Sequence, residues 1–224
     1  MRSLRGEFMR ENRLIVVIGA GGHASSVADA AISSGFRVVG FVGGAPVRFL
    51  EFAAHTIDYV AEIDLDRVEL CLGIGTNFLR EQLFLEIMTS FPQARFPPIS
   101  HRTAWVSPDA TEGAGSVLLA HTTLGPKAEL GIGALLNTSA SLDHDSKLGD
   151  FGSLGPGART GGGVVIGERT MVGMQAGILQ GVRVGSDVVI GAQSLATADI
   201  PNLSVAAGSP CRTVRERMPR EPYY

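Results

Sequence analysis

The chain has 224 residues, 29 of them glycine, with 6% aromatic and 18% charged residues; 19 Lys+Arg against 22 Asp+Glu give a formal net charge of −3. This length accommodates one large domain or two small ones, and a mean hydropathy of +0.20 is too apolar for a disordered chain. Without a basic excess or a Lys/Arg run, neither nucleic acid nor an anionic membrane surface is an expected partner.

In chain order, residues 1–13 read as a disordered tail, without the apolar stretch of a secretory signal. The apolar stretch Leu14 to Ala28 is interrupted by Gly19, Gly21, Gly22 and His23, so it does not read as a membrane span, and a cytoplasmic protein is expected. Leu14 to Ile18 predicts a strand, Gly19 to Ala24 a glycine turn, and Ser25 to Ser34 a helix stopped by Gly35. Strands follow at Arg37 to Val42 and Glu69 to Ile74, then a helix from Asn77 to Ser90 with Asn77 as its cap. His55 falls in a poorly patterned linker. This βαβ pattern implies a small parallel sheet, a Rossmann-like α/β domain over residues 14–100, closed by Pro92, Pro97 and Pro98.

The rest of the chain repeats every six residues. Thirteen of the sixteen residues at that spacing from Val106 to Ala196 are Leu, Ile or Val, the exceptions being Glu112, Thr160 and Ala196. The next position is glycine in ten of the sixteen hexads, and the fifth is small or β-branched throughout. A helix face recurs every 3.6 residues and cannot sustain this period. A parallel β-helix can, with one hexad per wall and three walls per 18-residue coil, a little over five coils in all. The aliphatic residue then points to the axis, and the glycine is expected to turn the corner with unusual backbone angles. After Ala196 the period ends. Gly208-Ser209-Pro210 reads as a turn and Arg212 to Met218 as a short closing helix, giving a β-helix domain over residues 101–214 and a tail at 215–224.

Within the repeats, His144 takes the third position of its hexad, a wall position that projects outward, and Asp145 follows it. A histidine titrating near neutrality, beside a carboxylate that raises its basicity and fixes its tautomer, suits a general base. Gly21-Gly22-His23 precedes a helix, where free backbone N–H groups suit a phosphate. A dinucleotide site would require an acidic residue after the second strand. Gly43-Gly44 stands there, so an NAD site is not expected. Cys71 and Cys211 form no disulfide framework, and no His/Cys/Asp set has metal-ligand spacing. His101 and His121 read as structural or solvated.

The glycine-rich βαβ unit, the hexapeptide repeats, the segment LNTSASLDHDSKLGDFGSLGPGA and the terminal GSPCR together resemble the bacterial sugar O-/N-acyltransferases of the sialic acid O-acetyltransferase type. That group includes acetyltransferases acting on UDP-4-amino-sugars. The resemblance implies a left-handed parallel β-helix after the Rossmann-like domain, although ordinary crossover chirality favours the opposite hand. It implies acetyl-CoA as acyl donor, a sugar or nucleotide-sugar acceptor, and a homotrimer with active sites between subunits. It also implies His144 as catalytic base, Asp145 as the acid that tunes it, and Asn137 as a residue orienting substrate or base. Gly21, Gly22, His23 and Gly75 correspond to substrate positions, and Ser153, Gly162, Met174 and Ala192 to acetyl-CoA positions. The bare run Gly161-Gly162-Gly163 is expected to let a pantetheine arm lie against backbone, with Arg212 and Arg215 near the CoA phosphates. UDP-sugar members carry acidic residues where this chain has Gly43-Gly44, which leaves the acceptor nucleotide open. A non-catalytic trimeric scaffold with a nucleotide-binding module is the competing reading, and the His144–Asp145 pair beside a glycine wall weighs against it.

Overall fold

The computed structural model describes residues 13–43 and 49–223. The tail expected at the N-terminus lies, Arg13 apart, outside the described residues, as does Gly44. The N-terminal part is a three-stranded parallel sheet of β1 (Arg13–Ile18), β2 (Phe36–Val42) and β3 (Val68–Leu72), in the order β2-β1-β3. Three helices accompany it: α1 (Gly22–Ser33), α2 (Phe49–Ala61) and α3 (Asn77–Ser90).

Side chains alternate along β1, as they must in a strand. Ile15 and Val17 pack with the small face of α1, Ala24, Val27, Ala28 and Ala31, while Val16 and Ile18 pack toward Val60 of α2 and Leu83, Phe84 and Ile87 of α3. Gly35 ends α1 as expected, in a left-handed conformation (φ 92°). Three details differ from the sequence reading. Helix α1 begins inside the glycine turn; α2 is a full helix carrying His55 where a linker was expected; and Thr76, not Asn77, is the N-cap of α3.

From Ile99 the chain winds into a solenoid of two-residue strands on three parallel walls. Strands pair one coil apart, Leu135 with Val117 and Ser153, and Ser141 with Thr123 and Arg159. Wall 1 carries the strands that begin at Ile99, Val117, Leu135, Ser153, Met171 and Val189; wall 2 those from Trp105 to Leu195; wall 3 those from Thr111 to Arg183. The axis is filled as the repeat requires, by Leu118, Leu124, Leu130, Leu136, Leu142, Leu148 and their successors, with Ala128, Ala134, Ala140 and Ala158 between them.

The corners correct the expected role of glycine. The left-handed position lies two residues after the common glycine, and non-glycine residues hold most of it: His121, Lys127, Ser139, Asp145, Phe151, Arg169, Gln175, Asp187 and Gln193, with φ between 55° and 60°. The common glycine has ordinary φ; what it lacks is room. A Cβ on Gly125 would lie 2.7 Å from His144 N, and one on Gly149 2.8 Å from Glu168 N. Strands at parallel-sheet spacing bring successive corner backbones together there.

The C-terminus also departs from expectation. Arg212–Glu216 is a strand, antiparallel to Ser204–Ala207 at the end of wall 1, and no closing helix forms. Gly208 (φ 100°) turns the chain into this hairpin. Arg217 then donates to Asp187 O (2.9 Å) and stacks on Tyr223, whose hydroxyl accepts from Asn77 N (3.1 Å).

Gly167→Ala should therefore destabilise the protein by about 1–3 kcal/mol, the usual cost of overpacking, because its Cβ would meet Ser186 N at 2.5 Å. Lys127→Gly, at a left-handed position, should cost little. Urea unfolding of both variants checks this; the opposite ranking would return the corner glycines to a conformational role.

Candidate active site

The N-terminal part rests on wall 1, where Ile99, Val117, Leu119 and Leu135 pack under Ile15, Val17, Val27 and Ala31. At the corner between walls 3 and 1, a buried arginine joins the two parts. Arg80, only 1% exposed, donates to Gly133 O (2.7 Å) and Phe151 O (2.9 Å) of the solenoid, and to Ile74 O (2.9 Å), Gly75 O (3.1 Å) and Asn77 Oδ1 (2.9 Å) of its own domain. Burial lowers its pKa to about 10, so it stays charged at neutral pH. Asn77 also donates from Nδ2 to Arg169 O and Thr170 O, which explains why it serves the junction rather than the helix cap. Arg169 bridges Glu81 of α3 (2.7 Å) to Asp187 (2.9 Å) of the solenoid. None of these junction residues was anticipated, although Arg80, Leu83, Phe84 and Ile87 share one helical face and the arginine in that apolar stripe was a signal.

The glycine loop lies at the start of α1. Gly19 and Gly73 are demanded by packing: a Cβ on Gly19 would meet Gly73 O at 2.6 Å, and one on Gly73 would meet Ala24 at 2.8 Å. Gly21 and Gly22 are not, since a Cβ on either meets nothing within 4 Å. They leave bare backbone facing open space. His23, the next residue, lies against Gly75. Burial first, and then the Arg80 charge, lower its pKa to about 4, so its imidazole is neutral across the physiological range. Beside the loop, Ser25, Ser26 and Asp29 of α1 face His101, Leu119, Ala120 and Thr138 across a cleft of about 330 Å³. His101 thus has an acidic neighbour that the sequence did not reveal, Asp29 at 3.6 Å.

His144 stands on the corner between walls 2 and 3, its side chain 57% exposed. Its backbone N–H donates to Asp143 Oδ1 (2.7 Å), and Nδ1 lies 2.8 Å from Asp145 Oδ2. The hydrogen bond to Asp145, and then the charge of Asp143, raise the His144 pKa above 6.5. A carboxylate on Nδ1 places the proton there and leaves the Nε2 lone pair free.

The other sequence candidates divide by place. Gly162 lies one coil below His144, and Gly163 N donates to His144 O (2.8 Å). The space over Gly162 is not an empty groove, as the glycine run suggested: the His144 ring fills it, with Nδ1 2.9 Å from where a Cβ would stand. Asn137 sits at the corner between walls 1 and 2, its Oδ1 accepting from Thr138 N (2.8 Å). Met174, half exposed, and Ala192 are at that same corner in later coils. Ser153 is on wall 1, 2% exposed, donating to Met171 Sδ (2.9 Å). Arg215 pairs with Glu221 (2.7 Å), and Arg212 donates to Cys211 O (2.8 Å). Within one chain, then, His144, Asp145 and Gly162 come together, whereas the helix that follows the glycine loop packs on wall 1, the wall that carries Ser153 and lies opposite the corner bearing His144.

Residues 14–87 match the family described as the PglD N-terminal domain, and residues 163–197 the bacterial transferase hexapeptide (six repeats). The acetyltransferase domain of PglB from Neisseria gonorrhoeae, solved in complex with acetyl coenzyme A, is 31% identical; the match covers 91% of this chain and 100% of that one with a TM-score of 0.80. PerB from Caulobacter crescentus, solved in complex with CoA and GDP-perosamine, is 29% identical over 90% of this chain and 97% of that one, again with a TM-score of 0.80. WeeI from Acinetobacter baumannii, 20% identical over 90% and 99% of the two chains with a TM-score of 0.72, shares the fold. An α/β domain on a hexapeptide solenoid with these matches defines a β-helix acyltransferase, and the coils have the left hand of that class. The chain belongs to the left-handed β-helix family of bacterial sugar acetyltransferases with a PglD-type N-terminal domain.

In a proton NMR titration, the His144 ring should inflect above 6.5, and Asp145→Asn should return it toward that value; His23 should stay neutral down to about pH 4. A wild-type His144 inflection at or below 6.5 would contradict the Asp145 contact.

Proposed function

We propose that the protein transfers the acetyl group of acetyl-CoA to an amino group, or a hydroxyl, of a sugar or nucleotide-activated sugar, with His144 as general base. The observation that carries this is the His144 imidazole, held at Nδ1 by Asp145 on an exposed corner with Nε2 free. Nε2 accepts the acceptor's proton as its nitrogen or oxygen bonds to the thioester carbonyl carbon. The tetrahedral intermediate then breaks its C–S bond, and the proton on His144 passes to the departing CoA sulfur. Asp145 stabilises the imidazolium between these steps. The likeness to PerB, a GDP-perosamine N-acetyl transferase, supports a nucleotide-linked amine as acceptor.

The residues fit acetyl-CoA. Below Asp145 the left-handed corner position is held by Gly163 and Gly181, and a Cβ on either meets nothing within 4 Å. This strip without side chains suits a narrow pantetheine chain leading to His144. Gly21 and Gly22, open above the start of α1, suit the acceptor's phosphate or sugar, with His23 and Gly75 beside them. We assign residues 14–100 to acceptor recognition and 101–214 to the chemistry. Because the two residue sets of one chain lie on opposite sides of the solenoid, we infer a homotrimer in which His144 of one subunit meets the glycine loop, Asn137 and Ser153 side of the next. Met174 and Ala192 would then meet the cofactor across that interface. No helix among the described residues is long and apolar enough to cross a membrane; we assign the enzyme to the cytoplasm, where acetyl-CoA is available and the buried thiols of Cys71 and Cys211 stay reduced.

His144→Ala should lower kcat by at least ~100-fold, the lower range for loss of a general base, with the KM for acetyl-CoA nearly unchanged. Thiol release from acetyl-CoA with a panel of nucleotide amino sugars measures both, and near-wild-type turnover would remove His144 from this role. Equilibrium sedimentation should give three times the 23.5 kDa chain mass; a monomer at micromolar concentration would rule out a shared site.

A further inference from the structure

The imidazole of His144 does not simply project into solvent. It lies down along the corner, so that its Nδ1–Cε1–Nε2 edge occupies the volume a side chain at residue 162 would need. A Cβ built there falls inside van der Waals contact of Cε1 and Nε2 and 2.9 Å from Nδ1. At Gly125 and Gly161, by contrast, the obstruction is the backbone of the next coil, His144 N and Gln180 N at 2.7 Å and 2.8 Å. Gly162 is therefore unlike the glycines that the solenoid needs for stacking: the atoms nearest its missing Cβ all belong to one side chain in the coil above, His144. Residue 162 also has no left-handed φ, since Gly163 takes that conformation (φ 66°). Alanine is thus acceptable to the backbone angle, and the three atoms nearest its Cβ all belong to the His144 ring, which would have to move.

We infer that Gly162 is a positioning residue: the missing side chain is the seat that lets the His144 ring lie where Asp145 can hold Nδ1 and Nε2 is presented. The two contacts are complementary. Asp145 fixes one ring nitrogen from the same corner at 2.8 Å, and Gly162 sets the depth to which the ring can drop toward the next coil. This rests on the reading of His144 as general base for its kinetic consequence, but not for its structural one. It also departs from a role for Gly162 as a cofactor contact alone. The charged groups that act on the ring are Asp145 and Asp143 on its own corner, and residues 161–163 directly below are all glycine.

The test is Gly162→Ala, read in three ways. By NMR titration, the His144 inflection should fall from its raised value toward 6.5, since the displaced ring loses the Asp145 hydrogen bond. In steady-state kinetics, kcat should fall on the order of 10–100-fold, the scale of an ångström-level misplacement, with the acidic limb of the pH–rate profile moved to lower pH and the KM for acetyl-CoA within about twofold of wild type. In urea unfolding, the loss of stability caused by Gly162→Ala should disappear in a His144→Ala background, where the ring is gone. This last arm also decides the matter if the single variant fails to fold. An unchanged His144 titration overturns the inference, as does a raised KM for acetyl-CoA with kcat intact. So does a double variant as unstable as Gly162→Ala alone. Retained turnover in His144→Ala would instead overturn the base assignment, leaving the titration and the unfolding cycle to judge the seat.

Discussion

Each coil of the solenoid hangs from the next by backbone hydrogen bonds, as from Trp105 N to Thr122 O, Lys147 N to Val164 O and Gly163 N to His144 O. These bonds hold successive corners at the separation of neighbouring strands in a sheet. A residue one coil away is therefore a direct neighbour, and every position must be compatible with the residues above and below it. That is why Leu, Ile and Val succeed one another along the axis, and why the position after them is so often glycine. The same rule seats His144. Its ring has space because the residue one coil below is Gly162, just as the Gly149 backbone has space against Glu168 N.

The N-terminal domain is attached by two kinds of interaction. Apolar residues of α1 and β1 cover wall 1, and Arg80 carries a buried positive charge into a ring of carbonyl oxygens from both parts. A buried charge is tolerated only where its donors are matched in this way. The pairing has a consequence for the glycine loop. Arg80 draws in the carbonyls of Ile74 and Gly75, against which His23 lies, and its charge helps keep that histidine neutral. The two histidines of the proposed site thus stand in opposite electrostatic settings: His23 beside a buried cation, His144 beside two carboxylates.

Placing the domain on wall 1 also divides the functional residues. The corner between walls 2 and 3 carries His144, the proposed base, and the opposite wall carries the helix that follows the glycine loop. A solenoid three strands around cannot bring these together within one chain. Joining subunits side by side can, and the exposed side chains of His144 and Asp145 leave that corner accessible.

Much of the molecule was legible in the sequence because its repeat is local. A period of six identified the β-helix and its axis residues, and the offset within the repeat identified His144 as outward-facing with Asp145 beside it. The βαβ pattern identified the parallel sheet. The sequence missed α2, whose His55 read as part of a poorly patterned linker. It also took Arg212 to Met218 for a helix, where pairing with Ser204–Ala207 makes a strand. Only the tertiary structure decided what depends on residues far apart in the chain. Stacking, not backbone angle, explains the common glycine that follows the axis residue, because the obstruction comes from a coil eighteen residues away. The junction at Arg80, the neutrality of His23 and the seat for His144 at Gly162 each arise from two segments meeting in space, and no local pattern records which segments meet.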